Sequence, residues 1–128
     1  MLLETGSTTC PYSGVRVRFL ETEGGAAVVL KPSQGFHELQ NPCHIWQHLS
    51  SCIDCCVVVV LDLSEMPSLT SSAVAEVVTL HKKTNDSGSL LRIAVSRARA
   101  VVRETLHTLH LDQLLAIHDS VEEALRSR

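Results

Sequence analysis

Apolar and polar positions alternate with period two at the start of the chain, where Val15, Val17 and Phe19 are separated by Arg16 and Arg18. That is the pattern of a strand with one buried face. Gly24-Gly25 then supplies a turn, and Ala26 to Leu30 is apolar throughout, so the two runs predict an antiparallel hairpin. Lys31 to Pro42 has two prolines and one glycine without periodicity and is expected to be an irregular connection. Val57 to Leu63 reads VVVVLDL, apolar at successive positions, as expected of a central strand covered on both faces.

Helical spacing takes over between these runs. Ile45, Trp46, Leu49, Cys52 and Ile53 recur on one face of a short amphipathic helix within Cys43 to Ile53, with His44, His48 and Ser51 on the other. A second helix is expected from about Ser71 to Lys83, stopped by Asn85 to Gly88, and Leu90 to Val95 reads as the next strand. Ala98, Val101, Val102, Thr105, Leu106 and Leu109 form the most regular helical stripe in the chain. Leu114 to Ile117 is a candidate short strand. Ser120 and Glu123 then form a capping box before a last helix, Val121 to about Arg126.

Strands alternating with helices predict an α/β fold: a mixed sheet of four to five strands, an N-terminal antiparallel hairpin followed by parallel crossovers, and about four helices. Residues 1–13 lack a period and are expected to be a flexible arm, leaving residues 14–128 as one domain. A chain of 128 residues is long enough for one core and buries roughly two-thirds of its unfolded surface. Its only aromatics are Trp46, Tyr12, Phe19 and Phe36, so that core is aliphatic.

Charge and composition narrow the classes of function. A formal net charge of −3 does not suit a protein that holds nucleic acid through counterion release. The longest apolar run, Cys55 to Leu61, is far below the roughly 20 residues of a membrane span, and Met1 to Thr9 does not read as an export signal. The expectation is a cytoplasmic protein with no membrane or nucleic-acid partner and no cofactor. Its five cysteines, an odd number, are expected to be thiols. No nucleophile elbow, phosphate-binding glycine loop or positioned carboxylate pair is visible, which argues against an enzyme.

In open α/β sheets binding sites gather at the carboxyl ends of strands. The loop Asp62 to Ala73 leaves the central strand there and is rich in hydroxyls: Ser64, Ser68, Thr70, Ser71 and Ser72. These can cap the helix that follows, worth about 1 kcal/mol. They can also form a docking surface, for which Met66, Ser68, Thr70, Ser71, Ser72, Ala73 and Glu76 are the candidates. Ser72, Glu76, Thr79 and Lys83 share one helical face, read as the polar one, whereas Ser71 shares a face with Val74, Ala75 and Val78. On that phase Ser72 points to solvent and is the candidate acceptor for a phosphate, ahead of Ser71 and Thr70.

From Val57 onward the chain resembles the STAS domain of bacterial anti-sigma factor antagonists. The matching segments are Val57 to Leu63, Thr70-Ser71-Ser72-Ala73, Asn85 to Gly88, Leu90 to Val95, Leu111-Asp112 and Asp119 to Leu125. The resemblance implies a non-enzymatic module. Its partner is both anti-sigma factor and serine protein kinase, Ser72 is the serine phosphorylated, and a serine phosphatase restores the binding form. Thr70 and Ala73 stand where the family carries Asp and Gly. That leaves open an alternative, a constitutive scaffold that is not phosphorylated.

A third reading comes from His44, His48, Cys52 and Cys55, whose spacing is compatible with a zinc site. The helix phase opposes it, because Cys52 falls with Leu49 and Ile45 while the histidines fall opposite; buried cysteine acting as a small hydrophobe is the simpler account. Arg99, Arg103, His107 and His110 also share a helix face. With a negative net charge, a solvated polar face is a better account of them than an anion-binding stripe.

Overall fold

The hairpin forms as its pattern predicts. In a computed structural model that describes residues 3–9, 15–32 and 55–126, strands β2 (Arg16–Thr22) and β3 (Gly25–Lys31) pair antiparallel from Arg16↔Lys31 to Thr22↔Gly25. Gly25 has φ 129°, a conformation open to glycine, and a Cβ there would lie 3.3 Å from both γ-carbons of Val57. The turn therefore both reverses the chain and brings β3 against the start of the central strand.

β4 (Val58–Asp62) runs parallel to β3, β5 (Leu90–Ala94) parallel to β4, and β6 (Ala116–His118) parallel to β5. β1 (Leu3–Thr9) adds antiparallel to β2 with a bulge between Glu4 and Gly6, giving a six-stranded sheet in chain order. The expected α/β class and hairpin-then-parallel arrangement are therefore present, with six strands in place of four to five. Part of the expected flexible arm is also corrected. Leu3–Thr9 is an edge strand, held by backbone pairing that its side chains do not announce.

The four helices within the described residues are α1 (Ser71–Ser87), α2 (Ala100–Thr108), α3 (Leu111–Leu114) and α4 (Val121–Arg126). The sheet has two buried faces because residues alternate across it. Val28, Leu30, Val59, Leu61, Leu91 and Ile93 pack with Ala73, Val77 and Leu80 of α1 and Val102 and Leu106 of α2. Ala27, Val29, Val60 and Ala94 pack on the opposite face with Ala124 and Leu125 of α4. This is why the valine run shows no alternation: each of its faces has a helix on it.

α1 runs a turn beyond Lys83 to Ser87, and Gly88 at φ 78° ends it, its N–H reaching the carbonyl of Asn85 at 3.2 Å. α2 is shorter than its stripe. It begins at Ala100, so only Val102 and Leu106 reach the core, and Val101 and Leu109 remain exposed. Ser120 caps α4 as expected, its hydroxyl accepting the Glu123 N–H at 3.1 Å. Among the described residues no helix is long and apolar enough to cross a membrane.

The helix expected from Cys43 to Ile53 lies outside the described residues, and with it His44, His48 and Cys52 of the zinc reading. Among the described residues, Cys55 is exposed and Cys56 is buried where the chain enters β4, and Cys10 and Cys43 also lie outside them.

Candidate functional site

The carboxyl end of β4 opens into a loop built on a series of anchors. Asp62 is buried, and its carboxylate accepts the Ser64 N–H at 3.0 Å, turning the chain as it leaves the strand. The Leu63 N–H reaches the Ala94 carbonyl at 2.9 Å, so pairing with β5 continues one residue past the strand. The Met66 N–H closes a turn on the Leu63 carbonyl at 3.0 Å, and the Met66 side chain sits wholly in the core. Glu65, between these anchors, lies 3.6 Å from the Lys31 Nζ and 3.7 Å from an Arg16 guanidinium nitrogen.

Beyond Met66 the loop faces water: Pro67 and Ser68 are exposed and Leu69 is half-buried. Thr70 is the N-cap of α1. Its hydroxyl accepts the Ala73 N–H at 3.2 Å, and its carbonyl accepts the Val74 N–H at 2.9 Å. Thr70→Ala is expected to cost about 1 kcal/mol and Thr70→Asp, which keeps a capping oxygen, much less, as measured by urea unfolding.

The expected helix phase is overturned in part. The buried arc of α1 carries Ala73, Glu76, Val77, Leu80 and Thr84, so Glu76 lies inside with 2% of its surface exposed. Ala75 and Val78, read as inward, are exposed instead. Both Ser71 and Ser72 are exposed, so exposure does not single out Ser72. The arc is set by where the helix meets the sheet, and Glu76, polar as it is, lies at the margin of that arc and inside it.

The candidate docking set divides accordingly. Met66, Ala73 and Glu76 are buried and cannot present side chains to a partner. They shape the loop from beneath. Ser68, Ser71 and Ser72 are exposed, and Thr70 is half-buried with its hydroxyl occupied in capping. α1 has no acidic residue in its first turn, so a phosphate on Ser72 would meet the positive end of the helix without a neighbouring carboxylate there.

Of the four residues expected to share one face, Arg99, Arg103 and His107 are engaged by specific partners, and His110 lies past the end of α2 in a left-handed conformation. Arg99, the N-cap residue of α2, donates from Nε to the Ser64 carbonyl at 2.9 Å. Arg103 donates to the Val95 carbonyl and to Asp119, both at 2.8 Å, and Arg97 donates to the other Asp119 oxygen at 2.9 Å. His107 bonds Asp112 at 2.8 Å, which raises its pKa above the usual imidazole value, chiefly through that hydrogen bond. Sequence reading missed the Arg99 contact with the loop, because 35 positions separate its partners and no local pattern marks it.

The chain belongs to the STAS domain family, whose model matches residues 20–124. An anti-sigma factor antagonist from Mycobacterium paratuberculosis has a similar fold, at TM-score 0.61 and 15% identity over 94% of this chain and 100% of that one. A candidate anti-sigma factor antagonist from Thermotoga maritima is similar at TM-score 0.61 and 20% identity, over 85% of this chain and 93% of its own. No curated protein sequence matches the chain significantly.

Proposed function

We propose that this chain is a cytoplasmic, protein-binding regulatory module of the anti-sigma factor antagonist type. It docks on a partner that is both anti-sigma factor and serine kinase, through Ser68, Ser71 and Ser72, and phosphorylation at Ser72 releases it until a serine phosphatase restores the binding form. It acts by association, without catalysis or cofactor. The observation that carries this reading is the construction of the β4–α1 loop: exposed serines at a helix start, on a base anchored by Asp62 and Met66.

A phosphate on Ser72 adds nearly two negative charges at a helix end that tolerates them, so the domain stays folded while its docking surface becomes negative. A partner seated on the neutral surface is then repelled. The two positions that depart from the family pattern are compatible with this. Ala73 has no exposed surface, so its methyl is packed in the core and stands in no partner's path. Thr70 supplies the cap that an Asp would supply.

The test is a phosphate-affinity gel of wild type, Ser71→Ala and Ser72→Ala after incubation with ATP and an extract of the cells the protein comes from. Wild type and Ser71→Ala are expected to shift and Ser72→Ala is not. A shift of equal size in all three proteins would place the phosphate elsewhere.

A further inference from the structure

The docking loop is gripped at two consecutive residues from opposite sides. Toward β3, Glu65 faces Arg16 and Lys31, which are themselves cross-strand partners. Toward β5, the Ser64 carbonyl accepts the Arg99 Nε–H at 2.9 Å. The two grips differ in kind. The Glu65 pairs are long and half-exposed, and pairs of that sort contribute little. The Arg99 contact, though also exposed, is a short, charge-assisted hydrogen bond to the backbone of the loop itself.

Arg99 also stands on a braced platform. Its N–H donates to the Ser96 carbonyl at 2.9 Å, and the Ala98 N–H donates to the Ser96 hydroxyl at 3.2 Å, fixing the turn that leads into α2. One turn along, Arg103 ties the Val95 carbonyl to Asp119, and Asp119 takes Arg97 on its second oxygen. Asp119 follows β6 directly, and the His118 carbonyl before it accepts the Val95 N–H at 2.9 Å. A continuous polar chain therefore crosses the carboxyl ends of three parallel strands, from Asp119 after β6, through Arg103 and the β5–α2 turn, to Arg99 and Ser64 after β4.

A guanidinium carries only donors and cannot cap the N–H groups at a helix start. Arg99 makes no side-chain cap and spends its guanidinium on a loop 35 residues earlier. We propose that Arg99 is a positioning residue of the docking loop: it fixes the path of Ser64 to Thr70, so that the serines at the start of α1 meet a partner already in register, with Asp119 holding Arg99's platform through Arg103. This rests on the reading of the loop as the docking surface. Arg99 acts through the Ser64 backbone. Holding the loop before encounter removes an ordering cost from association.

The experiment has two arms. Amide hydrogen exchange on the full chain reads the loop with no partner present. Arg99→Ala is expected to speed exchange at least fivefold at Ser64 and Met66, the loop amides that donate to Asp62 and to the Leu63 carbonyl, and to leave Val59 to Leu61 unchanged. Asp119→Asn is expected to do the same more weakly, and Arg99→Lys, which keeps a charged donor, to recover most of the protection. Arg18→Ala, which breaks a pair with Glu4 away from the loop, serves as control and is expected to change nothing there. Unchanged loop exchange in Arg99→Ala would overturn the proposal, as would equal acceleration in β4, which would make Arg99 a general stabiliser.

The second arm measures the initial rate of phosphate incorporation from ATP in the same cell extract, against concentration of the chain. Arg99→Ala is expected to raise the half-saturating concentration at least threefold with the maximal rate unchanged. An unchanged half-saturating concentration would sever positioning from docking and overturn the proposal. Absence of phosphate on the wild type would instead remove the functional reading, while the exchange arm still decides whether Arg99 holds the loop.

Discussion

Met66→Ala is expected to destabilise the protein by about 3 kcal/mol, the usual cost of emptying a fully buried site of this size, and to free the loop it anchors. Met66 has no exposed surface and packs in the cluster that includes Leu61, Leu63 and Ile93. It is also the point at which the loop turns back toward the sheet, through its N–H bond to Leu63. The substitution removes both the packed volume and the weight that holds Pro67 to Leu69 over the core. Met66→Leu, close in volume, is expected to cost less than about 1.5 kcal/mol. Urea unfolding at constant slope measures both. A loss below about 1 kcal/mol for the alanine variant would mean that the side chain is not the loop's anchor.

Arg92→Ala is expected to cost about 2–3 kcal/mol, from a different cause. Arg92 lies in the middle of β5 with 7% of its surface exposed, on the face covered by α4, and donates to the Ala124 carbonyl at 2.7 Å. That carbonyl lies in the last turn of a short helix, where a cation is favourable. Removing the guanidinium leaves a gap under α4 and takes the donor from the Ala124 carbonyl. Arg92→Met keeps most of the volume and gives up the desolvated charge, so its cost is expected to be the smaller of the two. If thermal and urea unfolding show Arg92→Ala as stable as wild type, the guanidinium does not hold α4 to the sheet.

The elements legible in the sequence are those whose side chains alone decide their place. β4 could be read from Val57 to Leu63 because both of its faces are buried, so hydrophobicity is unbroken. The β2–β3 hairpin could be read because alternation and paired glycines agree. β1 could not. Leu3–Thr9 reads LETGSTT, a largely polar run with a bulge, and its membership of the sheet rests on backbone pairing with β2. Edge strands face water along one side and can carry such residues without cost.

The loop after β4 was legible in position and less so in detail. Strand-end geometry marks Asp62 to Ala73, but cannot tell a methionine that fills the core from one that meets a partner. Glu76 shows the limit of polarity as a guide: a glutamate at the margin of a buried arc reads as an outward residue until the packing of α1 on the sheet is known. The Arg99–Ser64 contact lies further out of reach, since it depends on two loops from neighbouring strands meeting at the same end of the sheet.

Of the candidate docking residues, Ser68, Ser71 and Ser72 are the ones left exposed, above a base fixed by Asp62, Met66 and Thr70. The departure at Ala73 falls inside the core and leaves this surface unaltered.

The most direct measurement is calorimetric titration of the kinase identified by the phosphorylation assay with unmodified chain and with chain phosphorylated at Ser72. The account predicts that the phosphate weakens binding at least tenfold, about 1.4 kcal/mol, with the fold unchanged by circular dichroism. Equal affinity of the two forms would contradict it.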